Sequence, residues 1–171
     1  LDAYIKHTLG ELSDEELQEQ LAASVSNRKT PKSQVSAHRA LAHSMRLKGM
    51  PDIAREELLK ARELNPENYE IILDLADLDI WLGNLEYADE LVNLVLKSQP
   101  NHRRAQLVKG IVYFQNDRLD DAEAILIDAL KLNPNPERVH YYLAQICERN
   151  GRLKEAIVHY KEALRRFLHE Q

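Results

Sequence analysis

Alanine recurs at a spacing of 34 residues, at Ala54, Ala88, Ala122 and Ala156, and Pro66, Pro100 and Pro134 keep the same spacing. Small residues do so too, at Ala42, Ala76, Gly110 and Ala144 and at Ala61, Val95, Ala129 and Ala163. Leu41, Leu75 and Leu143 form another column, in which Lys109 is the exception. Several columns in phase without an insertion divide the chain into four gapless units, 35–68, 69–102, 103–136 and 137–170. A chain with this constraint builds one supersecondary unit repeatedly and stacks the copies.

Within each unit the apolar residues follow a helical period. The first unit reads as a helix over 36–48 and a second over 51–64, with Gly49 in the turn and Pro51 at the first helical position. The other turns fall at Gly83-Asn84, Asn116-Asp117 and Asn150-Gly151. The second helices stop at Asn65-Pro66, Gln99-Pro100 and Asn133-Pro134, because proline disfavours helical geometry in the residue before it. No segment sustains period-two alternation, so no strand is expected. Antiparallel helices joined by a tight turn approach closely only where side chains are small. Ala42 and Ala54 mark that contact, and Leu58, Val92, Leu126 and Tyr160 fill the space beside it.

These columns resemble the tetratricopeptide repeat, which has small residues at positions 8, 20 and 27, a large apolar residue at 24 and proline at 32. The resemblance covers 35–170. It implies an all-α fold, a right-handed superhelical solenoid of four helix pairs. Position 4, where the family favours an aromatic, holds His38, Ile72, Gln106 and His140, and position 11 holds Met45, Asp79, Tyr113 and Cys147. Lys109 and Asp79 stand where the family buries apolar groups.

Residues 1–34 do not keep the columns and read as a lead-in and linker. Ser13 with Glu16 forms a capping box, which opens a helix over about 14–25. Ser26 to Gln34, polar and containing Pro31, reads as linker. The sequence opens on Leu1 rather than Met, which leads us to expect a fragment or a processed product. No capping helix is expected after Arg166, so Ile157, Leu164 and Leu168 are expected to be partly exposed and to favour self-association through helix 153–169.

The 171 residues carry 23 basic against 28 acidic side chains, a net charge of −5. That balance argues against binding a nucleic-acid backbone, and no apolar run is long enough for membrane insertion. One cysteine excludes an internal disulfide and a cysteine-rich metal site. Cys147 falls at a core position and reads as a buried, inert thiol. No phosphate loop, nucleophile elbow or zinc-protease motif is present, so no enzyme activity and no cofactor are expected. His38 and His43, five apart, point about 140° apart on a helix and do not converge on one metal. His38 and His140 share a column and are expected to pack between helices.

The resemblance further implies that first helices line a concave groove that holds a protein or peptide partner. Carried over position by position, the groove takes Arg39 and His43 from the first unit and Asp74, Asp77 and Trp81 from the second. Arg104 and Phe114 come from the third, and Tyr141 from the fourth. Spacing alone places Glu70, Asp74, Asp77 and Trp81 on one helical face. Two readings of that acidic stripe stand. In one, the carboxylates pair with Arg39 and Arg104 as a solvated ion network. In the other, they receive a basic segment, with Trp81 or Phe114 as anchor. The positions by which some relatives clamp a C-terminal carboxylate hold Arg39, His43, Asp74, Arg104 and Val108 here. They lack asparagine, and Asp74 would repel a carboxylate, so that ligand is not expected. The alternatives to partner binding are a homo-oligomeric assembly module and a regulatory or targeting domain of a larger enzyme.

Overall fold

The computed structural model describes residues 13, 16, 19, 20, 23, 30–132 and 136–169, the last four by backbone alone. From residue 30 onward, eight helices follow one another: α1 (Pro31–Leu47), α2 (Pro51–Leu64), α3 (Tyr69–Leu82), α4 (Leu85–Ser98), α5 (Arg103–Gln115), α6 (Leu119–Leu132), α7 (Glu137–Arg149) and α8 (Leu153–His169). No strand occurs among the described residues. The fold is all-α and made of helix pairs.

The turns within the pairs repeat to the level of single hydrogen bonds. The amides of Met50, Asn84, Arg118 and Arg152 each donate to the carbonyl five residues back, at 3.0, 2.8, 2.9 and 2.8 Å. This six-residue closure needs a left-handed residue just before the donor. Gly49, Gly83 and Gly151 occupy that position at φ of 75, 83 and 73°, and Asp117 occupies it at 58° without glycine's freedom. The proline stops act as expected where they are described. Asn65 and Gln99 are extended, with φ and ψ of −148 and 80° and of −134 and 82°. The Asn133-Pro134 step lies outside the described residues.

One boundary differs from the sequence reading. The first helix begins at Pro31, inside the stretch taken as linker, and not at residue 36. Thr30 caps it, accepting from the Ser33 amide at 3.2 Å, while the Thr30 amide donates to Ser33 Oγ at 3.2 Å. Pro31 is therefore the N1 residue of a capped helix rather than a loop residue. Further upstream, the Ser13–Glu16 capping box is present: the Glu16 amide donates to Ser13 Oγ at 3.2 Å and the Ser13 amide to Glu16 Oε2 at 2.8 Å. Glu16, Glu19, Gln20 and Ala23 are helical, and the rest of 14–25 lies outside the described residues.

The chain divides into two compact units, one up to Leu78 and one from Asp79, with the boundary inside α3. In the first, Val35, Ala61 and Ile71 join α1, α2 and α3 in one apolar cluster. In the second, Leu107, Ile111, Phe114, Ala122, Leu126, Ala129, Val139, Leu143 and Ile146 form the core where α5, α6 and α7 meet. The small columns lie at the helix contacts: Ala54, Ala61, Ala88, Ala122, Ala129 and Ala144 are all fully buried. Gly110 of α5 lies so close to α6 that a Cβ there would stand 2.6 Å from Leu126 Cγ and Cδ2.

Candidate functional site

The residues expected to form the groove fall into the two units. In the first, α1 and α3 bring Arg39 and Asp74 together. Arg39 donates from Nε to Asp74 Oδ2 at 2.7 Å, and Nη2 of the same guanidinium lies 2.7 Å from that oxygen. Their side chains are 35% and 23% exposed, so water screens the pair and its worth is at most about 1 kcal/mol. Asp77 is half-buried, Glu70 exposed, and His43 points to solvent from α1.

In the second unit the aromatic residues separate into exposed and covered ones. Trp81, at the end of α3, is 60% exposed, and Tyr141 on α7 is 45% exposed. Phe114 is only 5% exposed. Its ring packs edge-on against Tyr142 at 5.6 Å between centroids, and the Arg149 guanidinium covers it at 4.1 Å. Arg149 also reaches Asp117 at 3.2 Å. Phe114 thus packs into the core, and Trp81 and Tyr141 are the exposed aromatic residues among the expected groove residues. Tyr142 touches Tyr141 at 5.4 Å, and Tyr141 in turn approaches Tyr160 at 6.3 Å. Tyr160 donates to Glu148 Oε2 at 2.8 Å, a bond that raises the phenol pKa to about 12. Arg104 is half-buried on α5.

Polar groups also occupy the interior, and the sequence reading missed their pairing. Glu57, 1% exposed, accepts Lys60 Nζ at 2.6 Å and meets His38 Nδ1 at 2.6 Å. Lys109, 7% exposed, pairs with Asp89 and lies 4.6 Å from the centre of the Tyr113 ring. Asp79 is fully buried and accepts from Asn84 Nδ2 at 2.8 Å. His140 and His159 meet through their Nδ1 atoms at 2.9 Å. His38 and His140 lie between the helices of their pairs as expected, and each also makes a polar contact across its pair. The available signal was covariation between columns: position 23 is polar only in the units where position 4 is histidine.

Cys147 is 1% exposed, and burial raises its thiol pKa, which keeps it protonated and unreactive. Among the described residues no three His, Cys, Asp or Glu side chains are grouped as metal ligands, and no helix is long and apolar enough to cross a membrane.

Two family models, both of the tetratricopeptide repeat, match residues 46–112 and 113–167. A TPR repeat-containing protein of Methanocaldococcus jannaschii is 32% identical over 81 residues, 47% of this chain. The matched stretch spans 13% of that relative's length. Among solved structures, a thermophilic TPR protein of Thermus thermophilus aligns over 76% of this chain and 73% of its own, with a TM-score of 0.71 and 22% identity. MamA of Desulfovibrio magneticus RS-1, from residue 41 to its end, aligns over 95% of this chain and 89% of its own, with a TM-score of 0.65 and 17% identity. These structural likenesses speak for the fold, and the repeat columns, the recurring turn bonds and the family matches agree with it. The chain belongs to the tetratricopeptide repeat family.

Proposed function

We propose that the chain is a protein-interaction module whose first helices take a basic segment of a partner, with Asp74 and Asp77 as charge and Trp81 as anchor. Tetratricopeptide repeats generally mediate protein–protein interaction and scaffolding. The observation that carries the finer reading is Trp81. A large aromatic side chain that is 60% exposed on the same helical face as two carboxylates is a costly surface to leave to water. Aromatic residues of this kind dominate interface energies. Asp74 already accepts from Arg39, so a partner's cation exchanges for Arg39 instead of meeting an isolated charge.

The test is a calorimetric titration with a lysine-rich peptide carrying one aromatic residue, at two salt concentrations. Asp74→Asn with Asp77→Asn should weaken binding and flatten its salt dependence, because charge attraction is screened over about 8–10 Å. The loss of stability should stay within about 1 kcal/mol. Unaltered affinity at both salt concentrations retires the acidic stripe and leaves it as an ion network.

A second reading rests on α8. Leu153, Ile157, Val158 and Leu164 are 60, 54, 58 and 51% exposed there, which favours association of the chain with itself through this helix.

A further inference from the structure

Positions 4 and 23 face one another across the helix pair in the first and last repeats. In the first, His38 Nδ1 meets the carboxylate of Glu57 at 2.6 Å. In the last, the partner is a second histidine, and His140 Nδ1 meets His159 Nδ1 at 2.9 Å. The corresponding residues are Ile72 and Leu91 in the second repeat and Gln106 and Ile125 in the third. A histidine–histidine bridge is thus peculiar to the α7–α8 pair.

The geometry defines what the bridge holds. The ring centres are 5.2 Å apart with planes tilted by 35°, so the two Nδ1 atoms meet end to end. A divalent metal sits about 2.0–2.1 Å from each imidazole nitrogen, which leaves no place for one in line within 2.9 Å. A proton fits: one ring donates its Nδ1–H and the other accepts with its lone pair. This bond survives when both rings are neutral, and when only the donor ring carries an extra proton on Nε2. Once both rings are imidazolium, each Nδ1 is a donor. The bond is then lost, and two like charges face each other at the same spot.

We propose that His140 and His159 latch α8 onto α7 and that protonation of both rings releases the latch in mildly acidic solution. The surroundings oppose that second proton. Burial is the first cause that lowers the His140 pKa, and the charge of His159 is the second. Glu162 on α8 and Glu137 on α7 work the other way without reversing the shift. His140 also lies in the first turn of α7, where the helix dipole disfavours a cation. Of the other helices packed on α7, α6 presents Glu123, paired with Arg152, and the turn after α5 presents Asp117, paired with Arg149. Both pairs lie near the α7–α8 turn, at the opposite end of α7 from His140. A base whose folded pKa is lowered binds its proton more readily when unfolded. The latch therefore contributes its full stability above the ordinary histidine pKa of about 6.5 and loses it as pH falls below that value.

Hydrogen exchange read by mass spectrometry at pH 7.5 and 5.5, corrected for intrinsic exchange rates, tests this. Peptides from α8 should lose protection on acidification relative to peptides from α6. The variant His140→Ile with His159→Leu, which installs the second repeat's residues, should keep α8 protected at both pH values. Equal loss in α6 and α8, or the same α8-specific loss in the variant, overturns the proposal. A ring-resonance NMR titration of the unaltered protein gives an independent reading. The His140 ring should titrate below the ordinary value. Titration of His140 at the ordinary value also overturns it.

Discussion

The third and fourth repeats have the same fold in the same unit, yet they manage their surfaces differently. Position 21 of the third repeat holds Glu123, which accepts Arg152 at 2.6 Å, while the fourth repeat holds Ile157 there, 54% exposed. At positions 17 and 28, Leu119 and Leu130 pack against the core, whereas their counterparts Leu153 and Leu164 are 60 and 51% exposed. The face of α6 is covered by α7, and α8 carries the same face outward. A repeat therefore does not own its apolar face. The next helix decides whether those side chains are core or surface.

The comparison sharpens at position 8, where the third repeat has Gly110 and the fourth has Ala144. Ala144 is fully buried without conflict, but a methyl group at Gly110 would meet Leu126. Gly110→Ala gains helix propensity of up to about 1 kcal/mol and loses about 1–3 kcal/mol to overpacking. We expect a net loss of about 1–2 kcal/mol in denaturant melts. A gain in stability would show that α5 and α6 stand further apart than described.

The turn before each second helix gives a smaller effect of opposite sign. Asp117 is left-handed at φ 58°, where the fourth repeat has Gly151 at 73°. Asp117→Gly removes backbone strain and gives up the exposed contact with Arg149, at 3.2 Å. The expected outcome is stabilisation by up to about 1 kcal/mol, read from the same melts. A loss would mean that the Arg149 contact outweighs the backbone.

The smallest effect on stability is expected at the open face. Ile157→Glu copies the residue of the third repeat at an exposed site and should shift stability by no more than about 0.5 kcal/mol. If α8 mediates self-association, sedimentation of the unaltered chain should depend on concentration and that of the variant should not. Identical sedimentation of the two removes the self-association reading.

Much of the fold was legible because periodic columns encode contacts that recur four times. Helix pairs, turns and the buried alanines follow from spacing alone. The start of α1 did not, because Pro31 suits both a linker and a helix N1 position, and only the Thr30–Ser33 cap decides between them. At the candidate site, spacing placed Asp74, Asp77 and Trp81 on one face, and the Arg39–Asp74 pair was one of the two readings considered. Helical phase does not reveal that Arg149 lies over Phe114 and that the ring is buried in the core. The polar contacts at Glu57 and between His140 and His159 depend on two columns read jointly, which a column-by-column reading leaves out.

Trp81 offers the most direct test of partner binding, since it is the chain's one tryptophan and is 60% exposed. Its fluorescence can be followed while a lysine-rich peptide carrying one aromatic residue other than tryptophan is added, with a glutamate-rich counterpart as comparison. We expect a saturable blue shift with the basic peptide, weakened in Asp74→Asn with Asp77→Asn, and no saturable change with the acidic one. Saturable binding of the basic peptide, seen by calorimetry, that leaves Trp81 emission unchanged would contradict it.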